Sequence, residues 1–510
     1  MKFIFCVSFL ILFITGLDGQ HISCGLRLDE AIELKRDMIQ NRNRFPLISN
    51  ANLKNSLPLY LPLHIQIVGN QQGIGFANPQ AVLSMVCRLN TDFADQNIQF
   101  YIKDSLSYLM NDSIYIDAYD STAVDSMIAH KDTNAINIYI NGLAGGGVAG
   151  YYSRRGDYVF MLNAYANGGS TTITHEMGHF FTLPHTFFGW EKLDARALYA
   201  NQPAPDSIGS SWWRRAVEKV TRNPGSYNCY DAGDGFCDTP ADYISEREQC
   251  PMPGRALDPD TVAIQPNTAL YMSYFYDQCM DSFTTEQKNA INASIIQRNW
   301  NQLPPITIDS ISWTQLTLTQ PTNNQNVLIT SPNPVRFSWD RNSVPTATSF
   351  IVLVERMLFG TPIGTVFQRV VNQQDFIDIP SSVFLQNANY RWSVLPFNQG
   401  FVCSNFCNPQ FFSTQISTGI ENEEDAQSKV LIFPNPSSEV LHVQWKYEGP
   451  EPFFMELFNS LGQKIELSSG IENTIHDNSF QIDISSLAKG IYYIRFYQQN
   501  QQFTKSFYKK

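Results

Sequence analysis

The chain has 510 residues, which is too long for one hydrophobic core and predicts about two to four domains. Hydrophobic residues make up 43% of the sequence and aromatic residues 13%, so wholesale disorder is excluded. The formal net charge of −12 argues against nucleic acid or an anionic membrane surface as a partner.

Residues 1–19 predict a secretory signal peptide. Lys2 precedes an apolar run that extends to Thr15, and small residues follow. A transmembrane anchor is the alternative, but the run is too short and lacks a flanking stop signal. Since no later stretch approaches the length of a membrane span, we expect a secreted or cell-surface protein with no stable span.

Residues 20–55 predict a prosegment. Their pattern is polar, with helical spacing at 28–34, and basic residues suited to trypsin-like processing follow. An N-terminal extension packed on the next domain is the alternative.

Strands and helices alternate from residue 56 to about 305, which predicts a domain with α and β elements. The expected elements are a strand at 59–68, a helix at 79–90, a strand at 136–140, a glycine-rich loop at 142–150 and, at 157–161, the edge strand that faces a substrate. One hydroxyl among Ser170, Thr171 and Thr172 is expected to cap the next helix, because it accepts from a free amide.

That helix carries two histidines at metal-binding spacing. Residues 175–185 read HEMGHFFTLPH. His175 and His179 lie one turn apart on the same face, so both imidazoles reach one ion. Glu176 lies beside them, where it acts on water without being a ligand.

A third histidine follows where the helix is expected to end. Pro184 lacks an amide proton and disfavours helical geometry before it, so the chain leaves the helix near residues 181–183. His185 then swings back toward the other two histidines. Three histidines with one open position are typical of catalytic zinc. The alternative is a buried helix whose histidines bond to their neighbours.

Further motifs identify a family resemblance. Residues 267–274 read NTALYMSY, which resembles a methionine turn, and residues 233–240 read GDGFCDTP. Together with HEMGH, HTF and the later segment DSFT, these motifs resemble the pappalysin family of metzincin zinc peptidases. They lie in the family's order within residues 56–305, and the resemblance implies a metzincin-like α+β catalytic domain.

The resemblance assigns roles to individual residues. Met272 forms an apolar floor under the zinc, and Tyr274 stabilises the oxyanion, with a merely packed tyrosine as the alternative. A disulfide joins Cys250 to Cys279. Glu176 is the general base that takes a proton from zinc-bound water and delivers it to the leaving amine.

The cysteines fit an oxidising compartment. Cys229 with Cys237 and Cys403 with Cys407 are expected as local pairs. These pairs leave Cys24 and Cys87 without an expected disulfide partner.

Cys24 lies in the expected prosegment. A thiolate there is a candidate ligand that keeps a zymogen latent, as in some pappalysin relatives. The alternatives are pairing with Cys87 and no role.

Three points depart from the family pattern or leave it open. Thr182 stands where metzincins usually have glycine, so the turn is expected to differ locally. Relatives that cleave beside basic residues carry an acid before the methionine-turn cysteine; Asp277 fits that role, but Gln278 is the immediate neighbour of Cys279. The family resemblance and the carboxylates of Asp234, Asp238 and Asp242 suggest a calcium site. The alternative is that these are ordinary aspartates of solvated loops, which have the same spacing.

Two all-β domains are expected after the catalytic domain. Short strands at 335–339, 349–354 and 390–394 predict a fibronectin- or immunoglobulin-like sandwich over residues 310–415. Residues 428–510 follow an acidic linker and resemble the C-terminal sorting domain of the type IX secretion system, whose machinery is then a partner. A small sandwich without a targeting role is the alternative.

The sequence therefore predicts a secreted zinc endopeptidase acting on proteins or peptides. A surface adhesin or binding protein with a non-catalytic metal site is the alternative. The middle sandwich is expected to dock substrate or act as a spacer.

Overall fold

The computed structural model divides the chain into two compact units, Met1–Gln415 and Ile416–Lys510. It describes residues 23–45, 58–142, 148–191, 193, 195–199, 201–209, 214–223, 225, 227–252, 256–330, 332–416, 430–445, 454–459, 463–465, 479–498 and 501–510. The expected signal peptide, the end of the expected prosegment and the acidic linker lie outside these residues.

The first unit begins with a mixed seven-stranded sheet. Its strands are β1 (Ser23–Cys24), β2 (Leu59–Gly69), β3 (Ile98–Ile102), β4 (Ser107–Met110), β5 (Ile136–Asn141), β6 (Val148–Ser153) and β7 (Tyr158–Leu162). The order is β1-β6-β7-β5-β2-β3, with β4 also on β2. Only β6 and β7 pair in antiparallel fashion.

The prediction that residues 157–161 form the edge strand of the sheet is wrong. β7, which covers most of residues 157–161, lies between β5 and β6 inside the sheet. The strand next to the edge is β6, and it includes Val148–Gly150 from the expected glycine-rich loop. Glycine enrichment favoured a loop, but all six residues of β6 are buried by neighbouring elements, and this packing overrides local propensity.

The first unit also contains helices, some of which pack on this sheet. The helices are α1 (Leu28–Arg44), α2 (Pro79–Asp92), α3 (Asp112–Ile116), α4 (Ser121–Ala129), α5 (Thr172–Phe180), α6 (Ala195–Tyr199) and α7 (Thr285–Gln297). Among them, α2, α3 and α5 pack on the sheet. Short 3-10 helices lie at Ala94–Gln96, Asn163–Tyr165, Trp300–Gln302, Trp313–Gln315, Arg341–Ser343 and Ser381–Val383. Two short strands, β8 (Ser207–Ile208) and β9 (Arg215–Ala216), pair as a separate ribbon.

Helix starts follow local capping chemistry. Asn78 caps α2 by accepting from the amides of Gln80 and Ala81, and Pro79 occupies the first turn, where no amide is needed. Thr284 and Gln287 form a capping box at α7. These caps fix where α2, which contacts α5, and α7 begin.

Two facing sheets follow in the same unit. Their strands are β10 (Thr317–Gln320), β11 (Gln325–Ile329), β12 (Val335–Asp340), β13 (Ser349–Leu358), β14 (Thr361–Asn372), β15 (Phe376–Ile379), β16 (Asn389–Phe397) and β17 (Gln410–Ile416). One sheet has the order β10-β12-β15 and the other β11-β17-β16-β13-β14. Buried aromatic side chains, including those of Phe337, Phe350 and Trp392, fill the space between them.

The sandwich shares packing with the region that contains the seven-stranded sheet. Leu395 and Phe397 of β16 belong to the same buried cluster as the residues of the seven-stranded sheet. A disulfide joins Cys87 on α2 to Cys403. The expected Cys403–Cys407 pair is therefore wrong, as is the alternative Cys24–Cys87 pair, and Cys407 is a buried free thiol. Cys407 is buried in the sandwich core, whereas Cys403 is exposed and reaches Cys87 on α2.

The second unit contains two small sheets. Its strands are β18 (Val430–Phe433), β19 (Val440–Trp445), β20 (Phe454–Asn459), β21 (Lys464–Ile465), β22 (Ser479–Asp483), β23 (Gly490–Gln498) and β24 (Gln501–Lys509). The sheet orders are β18-β19-β22 and β21-β20-β23-β24. The chain thus combines an α/β region with sandwich-like β regions. In the parts of the chain described, no helix has the length and apolar character to cross a membrane.

Candidate active site

The turn after α5 brings the third histidine back toward the helix. α5 ends at Phe180, and Thr182 takes the left-handed conformation, with a φ of 72°. The amide of Leu183 then donates to the carbonyl of Gly178 at 2.9 Å. The turn therefore keeps the geometry that usually favours glycine, and the expectation that Thr182 alters it locally is wrong.

The three histidines converge through their Nε2 atoms. His179 Nε2 lies 3.1 Å from Nε2 of His175 and 3.1 Å from that of His185. On the outer side, Nδ1 of His175 lies 2.6 Å from the carbonyl of Tyr271, and Nδ1 of His179 lies 2.7 Å from that of Leu183. Because a carbonyl only accepts, each Nδ1 carries the proton and each Nε2 presents a lone pair inward.

Burial keeps the imidazoles of His175 and His179 neutral. Desolvation, together with the neighbouring His185, lowers the pKa of His175 to about 3. The same causes lower the pKa of His179 well below its usual value. Neutral imidazole is the form that binds a metal ion, so the protonation state suits ligation.

Glu176 lies beside this cluster and is fully buried. Its Oε2 accepts from the Cys24 thiol at 3.6 Å, and Oε1 has no hydrogen-bond partner among the described residues. Burial raises the pKa of Glu176 to about 8. Gly150 of β6 leaves the space that this side chain uses, because a Cβ at Gly150 would come within 3.1 Å of Glu176 Cγ.

Met272 and Tyr274 lie on the other side of the cluster. A Cβ on Gly178 would come within 2.3 Å of Met272 Sδ, so the glycine of the HEMGH motif lets the methionine pack directly under α5. The hydroxyl of Tyr274 lies 3.4 Å from His185 Nε2 and donates to the carbonyl of Cys24 at 3.3 Å. The structure therefore brings together all the residues that the sequence assigned to the zinc site.

Cys24 joins the same cluster from the other end of the chain. Its Sγ and one nitrogen each of His175, His179 and His185 all lie within 4.8 Å of one another. β1 pairs parallel to β6, and the amide of Gly25 donates to the carbonyl of Gly150 at 2.8 Å. Burial, and then the nearby Glu176 carboxylate, raise the pKa of the Cys24 thiol, whereas a bound cation acts in the opposite direction.

Helix α1 anchors Cys24 to the catalytic region. Lys35 Nζ donates to the carbonyls of Asp231 and Gly233, at 3.2 and 2.8 Å, and Arg42 donates to that of Gly235 at 2.6 Å. Ala31, Leu34 and Met38 bury the other face of the helix. The segment thus packs on the domain that follows it.

The start of α5 is held by a carboxylate and a hydroxyl. Thr171 precedes the helix but makes no side-chain cap. Instead, Ser170 Oγ accepts from the amide of Thr172 at 3.2 Å, and Asp277 accepts from the amide of Thr171 at 2.7 Å. The sequence predicted a hydroxyl here but not the distant Asp277.

Asp242 has a supporting role that the sequence did not indicate. Its carboxylate accepts from the hydroxyls of Thr186 at 2.6 Å and Ser273 at 2.8 Å, so it ties the turn after His185 to the methionine turn. The carboxylate of Asp234 accepts instead from the hydroxyl of Thr239 at 3.0 Å, and that of Asp238 accepts from the amide of Glu286 at 2.8 Å. Among the described residues, the side chains of His, Cys, Asp or Glu that are arranged to hold a metal ion are those of the Cys24 and histidine cluster.

Two further disulfides lie between residues 229 and 279, as expected. Cys229 joins Cys237, and Cys250 joins Cys279. The second bridge connects the segment before the methionine turn with the segment after it. Backbone bonds strengthen this connection, because Glu248 donates to Tyr274 at 2.9 Å and Tyr276 donates to Glu248 at 2.8 Å.

The donor set fits zinc. Three inward-facing imidazole nitrogens and a thiol are borderline and soft ligands, which zinc prefers over the all-oxygen sets of calcium or magnesium. The carbonyl contacts at Nδ1 of His175 and His179 are the outer-shell partners that metal-binding histidines usually have.

Comparisons with known proteins agree with an exported metalloprotease class. Residues 431–510 match the family described as "Secretion system C-terminal sorting domain". The chain is 23% identical over 287 residues to a Sordaria macrospora protein named "Extracellular metalloprotease", covering 53% of this chain and 86% of that protein. A protein of the same name from Colletotrichum graminicola is 25% identical over 247 residues, covering 45% and 73%.

A third relative, also named an extracellular metalloprotease, comes from Neurospora crassa. It is 25% identical over 256 residues, covering 47% of this chain and 73% of that protein. The similarity to such proteins thus spans about half of the chain.

Proposed function

We propose that this protein is a secreted zinc endopeptidase of the pappalysin type, which hydrolyses peptide bonds in proteins. The observation that carries the proposal is the convergence of His175, His179 and His185 beside the buried Glu176. The relatives named extracellular metalloprotease support the coarser class, a secreted metalloprotease.

His175, His179 and His185 would hold a zinc ion, which would supply Lewis-acid chemistry by lowering the pKa of water toward about 7 and polarising a carbonyl. Glu176 accepts the proton of the attacking water and transfers it to the leaving amine. Its unpartnered Oε1 is available for this transfer once Cys24 leaves Oε2. Tyr274 donates its hydroxyl toward the oxygen that becomes negatively charged.

β6 binds the substrate backbone in this proposal. β1 covers this strand in the structure, and its removal leaves β6 with free backbone amides and carbonyls at the edge of the sheet. An extended peptide that adds to such an edge gains main-chain hydrogen bonds. Because Gly150 lies against Glu176, a peptide on β6 passes directly beside the catalytic carboxylate.

Cys24 keeps the enzyme latent. Its thiol reaches the histidine cluster and Glu176 together, so it occupies the positions that water and substrate need. Helix α1 holds it there through Lys35 and Arg42. Removal of this segment then activates the enzyme.

The match of residues 431–510 to a sorting domain supports export by the type IX secretion machinery. Calcium stays a prediction from the family resemblance. The sandwich after the catalytic region acts as a fixed support rather than a flexible spacer, because it shares a buried cluster and the Cys87–Cys403 bridge with that region.

The test compares processed wild-type protein with Glu176→Ala, measuring zinc content and casein cleavage. We expect both proteins to hold zinc and only the wild type to cleave. Wild-type protein that holds a full complement of zinc but leaves casein and a broad peptide library intact would support the alternative, a binding protein with a non-catalytic metal.

A further inference from the structure

A small side-chain pocket opens beside His175 and Glu176. Besides residues of the zinc site, its lining is mostly uncharged and includes Ala149, Thr171, Phe275 and Met280. Arg247 and Asp277 are the charged residues that complete it. Because the pocket adjoins Glu176, its position under the proposed function is that of a subsite for a substrate side chain next to the scissile bond.

Both carboxylate oxygens of Asp277 already have donors. Oδ1 accepts from the amide of Thr171 at 2.7 Å, from its hydroxyl at 2.8 Å and from the hydroxyl of Ser170 at 3.3 Å. Oδ2 accepts from Arg247. Burial on its own would raise the pKa of Asp277, but the Thr171 bonds and the Arg247 charge outweigh it and hold the pKa below its usual value. The carboxylate is therefore ionised and paired.

Arg247 is fixed next to Asp277 by covalent and backbone links. The Cys250–Cys279 disulfide joins the two segments that carry these residues. Glu248, the neighbour of Arg247, bonds through its amide to the carbonyl of Tyr274 and through its carbonyl to the amide of Tyr276. The guanidinium also lies over the ring of Tyr276, 5.6 Å from its centre. The ion pair is thus built into the pocket wall.

We infer that Arg247 determines specificity: it neutralises Asp277 and makes the pocket select uncharged side chains and reject lysine and arginine. This inference rests on the proposed function. An incoming basic group meets a guanidinium of the same charge and a carboxylate whose oxygens are occupied, and like charges placed together disfavour binding. An uncharged side chain contacts Ala149, Phe275 and Met280 without disturbing the pair.

The experiment is peptide-library cleavage by the processed enzyme, with mass spectrometry reading the residues on both sides of each cut. We expect wild-type enzyme to cleave next to leucine, alanine or serine at least about tenfold more efficiently than next to lysine or arginine at the selective position. Arg247→Gln, which keeps the size but removes the charge, should shift this ratio toward basic residues by about tenfold or more, because Asp277 is then free to pair with the substrate.

Two controls separate this effect from general damage. Arg155→Gln removes an exposed arginine and should leave the ratio unchanged. Adding Asp277→Asn to Arg247→Gln should abolish the gain for basic residues.

A wild-type preference for lysine or arginine at that position, or an unchanged ratio in an active Arg247→Gln enzyme, would overturn the inference while the proposed function stands. Zinc-loaded wild type that cleaves nothing in the library would instead overturn the proposed function.

Discussion

Replacing Thr182 with glycine should stabilise the protein, although the residue lies in the middle of the active-site motif. Thr182 has a φ of 72°, which costs a non-glycine residue about 1–2 kcal/mol. Its hydroxyl oxygen is buried without a hydrogen-bond partner among the described residues, and such a group costs about 1–3 kcal/mol. Glycine removes both costs.

Two losses oppose this gain. Removing the buried methyl group costs about 0.8 kcal/mol. The extra freedom of glycine in the unfolded chain costs about 0.4–1 kcal/mol. The difference between these ranges is a net stabilisation of about 0–4 kcal/mol, centred near about 2 kcal/mol, and the central value corresponds to a rise in Tm of about 4 °C or more for a large domain.

The assay is thermal unfolding of the zinc-free and zinc-loaded proteins, followed by calorimetry. Thr261→Gly is the matched control, since Thr261 has a φ of 69° but an exposed side chain whose hydroxyl donates to the carbonyl of Asp260 at 2.6 Å. Thr261→Gly should raise the free energy of unfolding by less than Thr182→Gly does, with a difference of about 1 kcal/mol or more, because it removes no buried hydroxyl that lacks a hydrogen bond. A Thr182→Gly protein that is less stable than wild type, or no more stabilised than the control, would refute the reasoning.

Three further predictions concern the segment before the catalytic region and its link to the sandwich. Cys24→Ala should give premature cleavage activity in the unprocessed protein; a variant as silent as wild type would sink the latency proposal. Replacing both Cys87 and Cys403 with serine should cost about 2–5 kcal/mol in guanidinium unfolding, because the bridge closes a long loop; an unchanged midpoint would contradict this. Burial lowers the pKa of Lys35 to about 8, so the unfolded chain binds more protons than the folded chain above that pH. Wild type should therefore gain stability relative to Lys35→Met from about pH 8 to about pH 10, and a constant or falling difference would argue against a buried ammonium.

The parts of the site that the sequence predicts are those set by local geometry. The spacing of His175 and His179 fixes their common face, and Pro184 fixes the end of the helix, so His185 follows from residues close in the chain. The same reasoning anticipated the turn at Thr182 but overstated its effect, because neighbouring packing holds the left-handed conformation despite its cost.

The parts that the sequence does not predict depend on contacts between distant segments. Cys87 and Cys403 are 316 residues apart, and nothing local favours their pairing over Cys403 with Cys407. Arg247 has no motif around it, and its contact with Asp277 depends on the bridge that joins their two segments. The glycine content predicts a loop where the start of β6 lies, because glycine gives backbone freedom, whereas burial on both faces makes this segment a strand.

Zinc titration of the metal-free, processed enzyme tests the central claim most directly. Peptide hydrolysis is followed while zinc binding is measured in the same samples. We predict that activity rises with bound zinc and saturates at about one ion per chain, as expected for a single three-histidine site. Zinc that binds to the histidine cluster at this ratio without any hydrolysis would contradict the account.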